Sequence, residues 1–309
     1  MNTLLLIDGN PIMHRAFHAL PSFKADDGTP TNVLYGFFSI VHKLITDFHP
    51  DYLTCCFDTP LPTFRNKLFK AYQAQRPKVE DDFIVQIPLV KEALDKAGIS
   101  HLEKDGFEAD DLIGTVTKIF SQNDIRVLIV TGDKDLLQLV NDKVFIASPQ
   151  LGLSHIKVFD SIEVERKLGI KPKQVPDFKA LAGDPSDNYP GARGIGPKTA
   201  ASLLTQYQSL DNIYKNINFI SSEKIKKALT ESKDDVFLSQ KLATVVTNVQ
   251  ITPNIEEMKF KKFKSELKDF LLKYQIHSLA KRIFEKTNKK SLPAGRQEDK
   301  SKENQMGLF

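Results

Sequence analysis

Acidic residues follow three short apolar runs in the first half of the chain, where they could share one site. The runs and the acids that follow them are 4–7 with Asp8, 52–57 with Asp58, and 127–130 with Asp133 and Asp135. Short, continuous apolar runs are typical of strands that are buried on both faces of a parallel sheet. Because the carboxyl ends of parallel strands lie along one edge, where α/β proteins bind ligands, the pattern predicts that these carboxylates converge.

Five further acids lie in two loops. Glu108, Asp110 and Asp111 stand at the start of a predicted helix, and Asp184 and Asp187 lie three residues apart in a predicted turn. Each acid taken singly is typical of a turn or a helix cap. Nine carboxylates at one edge would repel one another unless cations held them together. Since few histidines and no separated cysteines are present, the ligands would all be oxygens, which favour Mg²⁺ or Mn²⁺. Two such ions suit attack of water on a phosphodiester.

The elements that would position these acids are strands alternating with helices. Residues 33–48, 83–97 and 109–120 lie between the apolar runs and carry apolar side chains at three-to-four spacing, which predicts helices. This alternation predicts an α/β fold with a central, mostly parallel sheet flanked by helices. After about residue 160 the strand patterns end, and short helices separated by proline and glycine follow. We therefore expect a domain boundary near 160–175.

The composition is that of an ordinary globular protein. The 309 residues are 41% hydrophobic and 27% charged, with a formal net charge of +4, which excludes a largely disordered chain. No apolar run reaches the ~20 residues of a membrane span, and the amino terminus is typical of a strand rather than a signal peptide. The adjacent Cys55 and Cys56 indicate reduced core thiols, so we expect a cytoplasmic protein.

A glycine-rich segment at 191–200 has the features of a phosphate-binding hairpin. Gly194 and Gly196 would let backbone N–H groups approach an anion closely. A helix beginning at Pro197 would add the positive end of its dipole, and Lys198 would add a charge beside it. A lone Gly-x-Gly could also be only a turn. Contacts of this kind reach phosphates rather than bases, so we expect binding that is insensitive to sequence.

Together these motifs resemble the 5′-nuclease family, which comprises the 5′–3′ exonuclease domain of bacterial DNA polymerase I and the flap endonucleases. The motifs are Leu-Leu-Leu-Ile-Asp-Gly-Asn (4–10), Phe-Asp (57–58), Phe-Arg (64–65), Gly-Phe-Glu-Ala-Asp-Asp (106–111), Thr-Gly-Asp-Lys-Asp-Leu (131–136), Gly-Asp-Pro-Ser-Asp-Asn (183–188) and Gly-Ile-Gly-Pro-Lys-Thr-Ala (194–200). The resemblance covers roughly residues 1–285. It implies a free-standing nuclease that is followed by no proofreading or polymerase domain.

The resemblance implies three parts. A PIN-like nuclease core would occupy residues 1–170, with a helical arch at about 61–85 over the active site. A helical domain at 171–286 would carry a helix-hairpin-helix that binds duplex DNA, and a disordered tail would follow at 287–309. In this family the hairpin also tends to hold a K⁺ ion. The hairpin residues implied to contact DNA are Arg193, Gly194, Gly196, Lys198 and Thr199.

The resemblance also assigns roles to the acids as ligands of two Mg²⁺ or Mn²⁺ ions. By position in the motifs, the ligands of the first ion are Asp8, Asp58, Glu108 and Asp110. Those around the second ion, some acting through water, are Asp111, Asp133, Asp135, Asp184 and Asp187. The family's full acidic set is therefore present.

One position in the predicted arch departs from the family pattern. The family reads Tyr-Lys-x-x-Arg, with the lysine near the scissile phosphate, whereas this chain has Gln73 in place of the lysine. Glutamine can donate a hydrogen bond but carries no charge, and loss of a positioned cation can cost ~10²-fold in rate. Lys70 or Lys78 could compensate. The candidates for DNA contacts in this region are Arg65, Tyr72, Gln73 and Arg76.

These candidates have simpler interpretations too. Arg65 and Arg76 could be solvated surface cations, although we also place Arg76 at the catalytic site. Tyr72 could stack on a base, but it could equally pack in the core or arch.

The implied function is hydrolysis of DNA near 5′ ends, giving 5′-phosphate and 3′-hydroxyl products. We expect a monomer that prefers 5′ flaps, acts also at nicks, and serves primer removal and repair. Without the nine predicted ligands the chain would be distinctly basic, which fits salt-sensitive binding to phosphates. Two alternatives stay open. One is a branched-DNA binding protein with catalysis weakened by Gln73, and the other is a related α/β nuclease of RNA, against which the 194–200 module argues.

The end of the chain is similar to the short peptide that binds the bacterial sliding clamp. It reads Gln-Met-Gly-Leu-Phe and follows a polar stretch, so an apolar anchor would sit on a flexible tether. A chance apolar tail is the alternative. The implied clamp-binding residues are Gln305, Leu308 and Phe309.

Overall fold

The computed structural model describes residues 1–150 and 156–285. Within these two ranges, no helix is both long enough and apolar enough to span a membrane. The predicted tail at 287–309 lies outside the described residues, and so do the predicted clamp-binding residues Gln305, Leu308 and Phe309. The tail and its clamp contact therefore stay predictions.

In the described ranges, one central sheet contains six strands. They are β1 (Thr3–Asp8), β2 (Tyr52–Cys56), β3 (Ser100–Leu102), β4 (Arg126–Val130), β5 (Val144–Pro149) and β6 (Ile156–Phe159). Their order is β3-β2-β1-β4-β5-β6, and all neighbours are parallel except β5 and β6. The prediction of a mostly parallel sheet is confirmed. Since β1 lies between β2 and β4, the three strands that precede the predicted acids are neighbours.

Helices flank this sheet and form the second half of the molecule. Those of the described residues are α1 (Gly9–Ala19), α2 (Asn32–Phe48), α3 (Phe64–Leu68), α4 (Asp81–Ile84), α5 (Gln86–Ala97), α6 (Ala109–Ser121), α7 (Ser161–Leu168), α8 (Val175–Ala182), α9 (Pro197–Tyr207), α10 (Leu210–Lys215), α11 (Glu223–Glu231), α12 (Lys233–Ala243), α13 (Ser265–Lys273) and α14 (His277–Phe284). In the same two described ranges, three short 3₁₀ helices span Asp135–Leu139, Pro172–Gln174 and Ile217–Phe219.

The central strand β1 is buried on both faces, which is why its sequence is apolar without alternation. Leu4 and Leu6 belong to one core, and Leu5 and Ile7 belong to the other. All four side chains are fully buried. Successive side chains of a strand point to opposite faces, so a sheet covered on both sides needs apolar residues at every position.

The two cores differ in reach. The core that contains Leu5 is formed with helices α1, α2, α5, α13 and α14. The core that contains Leu4 runs through α6 and continues into the helices after residue 170, with Leu203 of α9 and Val236 of α12 as members. Helices α8 to α12 thus pack against one face of the sheet, whereas α13 and α14 pack against the other, so the loops of the helical second half are held relative to the strand ends.

The predicted arch at about 61–85 contains little helix. Its helices α3 and α4 have five and four residues. The turns between them lie against the loop that follows α8, because Gln73 N–H donates a hydrogen bond of 2.9 Å to the Asp187 carbonyl oxygen. Residues 61–85 therefore lie over the strand ends as a largely non-helical segment, which we call the strap. It has one short helix near each end.

Candidate active site

A cavity of about 270 Å³ opens beside the carboxyl ends of β1, β2 and β4. Seven of the nine predicted acids line it, namely Asp8, Asp58, Glu108, Asp110, Asp133, Asp135 and Asp187. Asp184 lies beside them, since carboxylate oxygens of Asp135, Asp184 and Asp187 lie within 4.8 Å of one another. The structure thus brings eight of the nine acids together, as parallel strand ends require.

The amino-terminal half of the cavity, formed by Asp8, Asp58 and Asp110, receives hydrogen bonds from neutral groups. The Thr131 hydroxyl donates to Asp8 at 2.7 Å, and the Ala109 N–H at the start of α6 donates to Asp58 at 2.7 Å. Among the described residues, no lysine or arginine forms an ion pair with these three acids. These three acids therefore have no direct ion-pair partner in the described part of the chain, although Arg76 and Arg65 lie near enough to oppose the rise in the pKa of Asp58.

All three carboxyl groups of this half have a raised pKa. Burial raises the pKa of Asp8 well above its ordinary value; the Thr131 hydrogen bond opposes the rise, and Asp58 and Asp133 add to it. Burial also raises the pKa of Asp110 strongly, with further contributions from Asp133 and Asp8. Burial raises the pKa of Asp58 as well. A divalent cation would reverse these shifts by stabilising the charged forms.

Glu108 stands between the two halves of the cavity at the start of α6. Its side chain is near the Thr63 hydroxyl at 3.3 Å and the Tyr72 hydroxyl at 3.3 Å, both of which donate to it. Burial raises the pKa of Glu108 to about 7, even though Arg65 at 3.3 Å acts in the opposite direction. The position before the helix also makes Glu108 its cap.

Asp111 and Arg65 do not fit the roles that were predicted for them. The Arg65 guanidinium donates two hydrogen bonds to the Asp111 carboxylate, at 2.8 and 2.9 Å, and two more to the carbonyl oxygens of Leu242 and Thr244. Arg65 is 2% exposed and Asp111 is 0% exposed. A buried, bidentate pair of this kind joins α3, α6 and the end of α12. Arg65 lies at the cavity wall, but its donors are engaged by Asp111 and the two carbonyl groups, and Asp111 does not line the cavity.

The carboxyl-terminal half of the cavity, formed by Asp135, Asp184 and Asp187, is compensated by basic side chains. The Lys179 ammonium on α8 lies at ion-pair distance from both Asp135 and Asp184. Arg76 donates to Asp187 at 2.7 Å. Burial alone would raise the pKa of Asp184, but hydrogen bonds from Lys179 and Ser186 outweigh it and lower the pKa below its ordinary value.

A tight loop positions Asp184 and Asp187. Its two ends, Gly183 and Gly191, pack backbone to backbone, so that a Cβ on Gly191 would lie 2.3 Å from the Gly183 nitrogen. Gly183 also has a φ of +75°, which side chains rarely adopt. Asp184 and Tyr189 exchange two backbone hydrogen bonds across the loop, at 3.1 and 3.2 Å. The two glycines thus fix the carboxylates of the loop against the strand ends.

The docked strap brings Gln73 and Arg76 to the cavity wall, where the arch residues were predicted to lie. Tyr72 differs from its predicted role as a base-stacking residue. It is 4% exposed and stacks on the Tyr189 ring with centroids 6.4 Å apart. Its hydroxyl faces Glu108 and, at 3.5 Å, Asp187. The Tyr72 ring therefore packs the strap onto the loop that carries Asp187 and Tyr189.

The predicted phosphate-binding hairpin lies outside this cavity and is open to solvent. Gly194 has a φ of +87°, and helix α9 begins at Pro197 as predicted. A Cβ at Gly194 or Gly196 would meet no atom within 4 Å, so the backbone there is free to be approached. Arg193 and Lys198 are exposed beside it, and Thr199 is half-buried.

Several residues that support the site were not singled out from the sequence, and three of them contact the predicted residues closely. Thr131 hydrogen-bonds Asp8, Tyr189 supports Tyr72, and Lys179 pairs with two acids. Two of them have a signal in the sequence: Thr131 opens the motif at 131–136, and Lys179 is a charged residue between Phe178 and Ala180 in an otherwise apolar stretch that leads into Gly183 and Asp184.

Comparison with known proteins identifies the family. Residues 3–169 match the family described as the 5′–3′ exonuclease, N-terminal resolvase-like domain, and residues 170–266 match the 5′–3′ exonuclease, C-terminal SAM fold. A 5′–3′ exonuclease of Aquifex aeolicus is 40% identical over 297 residues, which are 94% of this chain and 100% of that protein. The chain therefore belongs to the 5′–3′ exonuclease family, and the predicted resemblance and the assignment as a nuclease are confirmed.

Two further relatives show how much of a longer protein this chain matches and which fold it shares. DNA polymerase I of Bacillus subtilis is 38% identical over 263 residues, which cover 85% of this chain but only 30% of the polymerase. A structure of the bacteriophage T5 flap endonuclease, in a pseudo-enzyme-product complex with DNA and metal ions, superimposes with a TM-score of 0.67 at 18% identity. The match covers 91% of this chain and 98% of that one. At this identity the likeness supports the shared fold.

Proposed function

We propose that the protein is a divalent-metal-dependent 5′ nuclease that hydrolyses DNA at 5′ flaps, nicks and 5′ ends and leaves 5′-phosphate and 3′-hydroxyl products. The observation that carries the proposal is the convergence of eight carboxylates around one cavity at the strand ends. Membership of the 5′–3′ exonuclease family supports the reaction, and the T5 relative with DNA and metal ions supports the substrate and the cofactor class.

The residues present fit two hard divalent ions, Mg²⁺ or Mn²⁺. All donors are carboxylate oxygens, and the buried, uncompensated acids of the amino-terminal half need a cation to carry their charge. Asp8, Asp58, Glu108 and Asp110 would hold the first ion. Asp135, Asp184 and Asp187 would hold the second, with Asp133 beside both. When bound, such ions supply an activated water and neutralise the phosphate.

Side chains of the strap would act on the scissile phosphate. Arg76 is the cation at the cavity wall, and its 54% exposed side chain can turn from Asp187 toward a phosphate oxygen. Gln73 can donate a hydrogen bond there without adding charge. The strap would thus orient the phosphodiester beside the carboxylates, while the ions bear most of its negative charge.

The hairpin at 191–200 would bind the duplex part of the substrate. Its open backbone at Gly194 and Gly196 and the exposed Arg193 and Lys198 suit phosphate oxygens. The backbone of the hairpin would also hold a K⁺ ion, which would add positive charge beside the phosphates. We expect Lys198→Ala to weaken binding to a flap duplex at low salt. Replacement of K⁺ by Li⁺ at constant ionic strength, followed by fluorescence anisotropy, tests the K⁺ proposal.

Several expectations about the cellular role belong to the same proposal. A domain boundary near residue 170, a monomeric protein in the cytoplasm, and a part in primer removal and repair are expected from the family. The carboxyl-terminal Gln305, Leu308 and Phe309 are proposed to bind a bacterial sliding clamp. Deletion of residues 305–309 should abolish clamp binding in surface plasmon resonance, and unchanged affinity would refute that contact.

The experiment that tests the function uses a duplex with a 5′ flap, labelled on the flap strand. With Mg²⁺ the protein should release the flap, and chelation by EDTA should stop the reaction. Asp8→Asn should abolish cleavage without loss of folding, whereas Asp105→Asn, at an exposed acid outside the cavity, should cleave like the parent. Absence of metal-dependent cleavage by the parent would contradict the proposal, and equal cleavage by Asp8→Asn would contradict the site.

A second candidate is a branched-DNA binding protein with weak catalysis. It is favoured by one observation: the cavity wall carries Gln73 in place of a cation, and the nearby Arg76 is paired with Asp187. This candidate predicts nanomolar binding of the flap duplex with very slow turnover in Mg²⁺. A flap made of RNA in the same assay tests whether the sugar of the cut strand matters.

A further inference from the structure

A lysine side chain occupies part of the space that a second cation would use. Lys179 projects from α8 and lies at ion-pair distance from Asp135 and Asp184 together. These two acids and Asp187 are the three whose carboxylate oxygens lie within 4.8 Å of one another. The ammonium group therefore contacts two of the three carboxylates that would hold an ion.

The environment makes this contact strong. The side chain of Lys179 is 14% exposed, and those of Asp135 and Asp184 are 11% exposed. Ion pairs that are shielded from water interact more strongly than exposed ones, because solvent screens them less. Ser186 holds the Asp184 carboxylate in the same place through its backbone N–H at 2.8 Å. Lys179 thus neutralises carboxylates that the loop keeps fixed.

We propose that Lys179 is a positioning residue that stands in for the second divalent ion and is displaced when that ion binds. The inference rests on the proposed two-ion function. The geometry supports it in two ways: one ammonium group contacts two of the three prospective ligands, and a lysine has a flexible four-carbon stem that lets it leave without movement of α8.

Displacement by the ion has a consequence for affinity. An ion entering the carboxyl-terminal half must first break two ion pairs with Lys179. In the amino-terminal half, by contrast, Glu108 alone of the proposed ligands forms an ion pair among the described residues, with Arg65 at 3.3 Å. The second ion should therefore bind more weakly than the first. Removal of the competing ammonium should make the second ion bind more tightly.

The test is calorimetric titration of the DNA-free protein with Mn²⁺, which reads metal binding without any assay of cleavage. Lys179→Met keeps the length of the apolar stem and removes the charge. We expect the weaker Mn²⁺ site of this variant to bind about tenfold more tightly than in the parent. Lys179→Arg restores the charge and should bind the second ion as weakly as the parent. Lys173→Met, at an exposed lysine just before α8, is the matched control and should not differ.

The outcomes separate this inference from the function on which it rests. If the parent binds no Mn²⁺, the two-ion function fails. If the parent binds two ions and Lys179→Met binds the second ion equally or more weakly, Lys179 organises the ligands rather than competing with the ion, and the inference is overturned.

If Lys179→Met does not fold, a measurement on the parent protein tests the same proposal. In the parent, the ¹H–¹⁵N signal of the shielded Lys179 ammonium should be visible in EDTA and should broaden or shift when the second Mg²⁺ binds. A signal that stays unchanged at saturating Mg²⁺ would equally overturn the inference.

Discussion

The two halves of the acidic cavity are built from the same side chain but have opposite electrostatic surroundings. In the amino-terminal half, Asp8, Asp58 and Asp110 are buried beside one another, and the hydrogen bonds they receive come from a hydroxyl and a backbone N–H. In the carboxyl-terminal half, Lys179 and Arg76 hold the acids in ion pairs. Within the described residues, the carboxylates of the amino-terminal half therefore have no ion-pair partner, whereas basic side chains of the protein neutralise those of the carboxyl-terminal half.

A cluster of carboxylates therefore does not determine metal affinity by itself; the basic side chains beside it also matter. Where the protein supplies no cation, burial and mutual repulsion raise the pKa, and a divalent ion relieves both. Where the protein supplies a cation, the ion must replace it. We therefore expect the amino-terminal half to fill first, and the metal-free protein to be destabilised mainly by that half.

The largest effect should come from Asp110→Asn. Loss of a ligand should lower the rate of flap cleavage by about 10³-fold, because a bound metal contributes several kcal/mol to transition-state stabilisation. In EDTA the same variant should unfold at a higher temperature than the parent, since a buried, uncompensated charge is removed. Cleavage assays and calorimetric melting check the two parts. If Asp110→Asn were less stable than the parent in EDTA, the proposed difference between the two halves would be contradicted.

Asp184→Asn should act in the opposite direction on stability. It should lower cleavage by about 10²-fold, because the second ion loses a ligand. In EDTA it should also lower the free energy of unfolding by about 1–2 kcal/mol, because Lys179 loses a shielded partner. Urea titration in EDTA measures this change. If Asp110→Asn and Asp184→Asn changed the stability in EDTA in the same direction, the two halves of the cavity would not differ in the way proposed.

The pH dependence of the metal-free protein should follow the raised pKa of Glu108, which is about 7. A carboxyl group whose pKa is higher in the folded state binds its proton more tightly there, so the folded state is favoured at low pH. In EDTA, the stability should fall by about 1–3 kcal/mol as pH rises from about 4.5 to 7. Saturating Mg²⁺ should cancel or reverse the fall, because the ion binds the charged form. Melting temperatures across this range, with and without Mg²⁺, check it.

The smallest effects should come from the strap. Arg76→Ala should lower the rate of cleavage by about tenfold, because the cation at the cavity wall is lost. Gln73→Lys should raise the rate a few-fold by adding a charge at the same wall. Single-turnover kinetics separates these changes from effects on binding. If Gln73→Lys does not change the rate, Arg76 or the ions already supply the charge that the phosphate requires.

The fold and most of the acidic cluster follow from local patterns in the sequence. The buried strands β1, β2 and β4 appear as short apolar runs, and parallel pairing alone brings the acids at their ends together. Helix α9 also begins at its predicted proline. Each of these inferences needs only residues that are adjacent in the chain or a general rule of sheet geometry.

The partners of individual acids could not be inferred in this way. Arg65 and Asp111 are 46 residues apart, and Arg76 and Asp187 are 111 residues apart. Nothing in either segment alone shows that Arg65 is buried or that Asp111 binds it. The stack of Tyr72 on Tyr189 likewise depends on how the strap docks. Pairing of this kind arises from tertiary packing, which the sequence pattern does not encode locally.

The most direct test of the account is anomalous diffraction from crystals of the protein soaked at increasing Mn²⁺ concentrations. We expect a first Mn²⁺ peak among Asp8, Glu108 and Asp110 at low concentration. A second peak should appear between Asp135, Asp184 and Asp187 only at higher concentration, with the Lys179 side chain moved out of that cluster. A first peak in the carboxyl-terminal half, or two ions bound with Lys179 still in contact with Asp135 and Asp184, would contradict it.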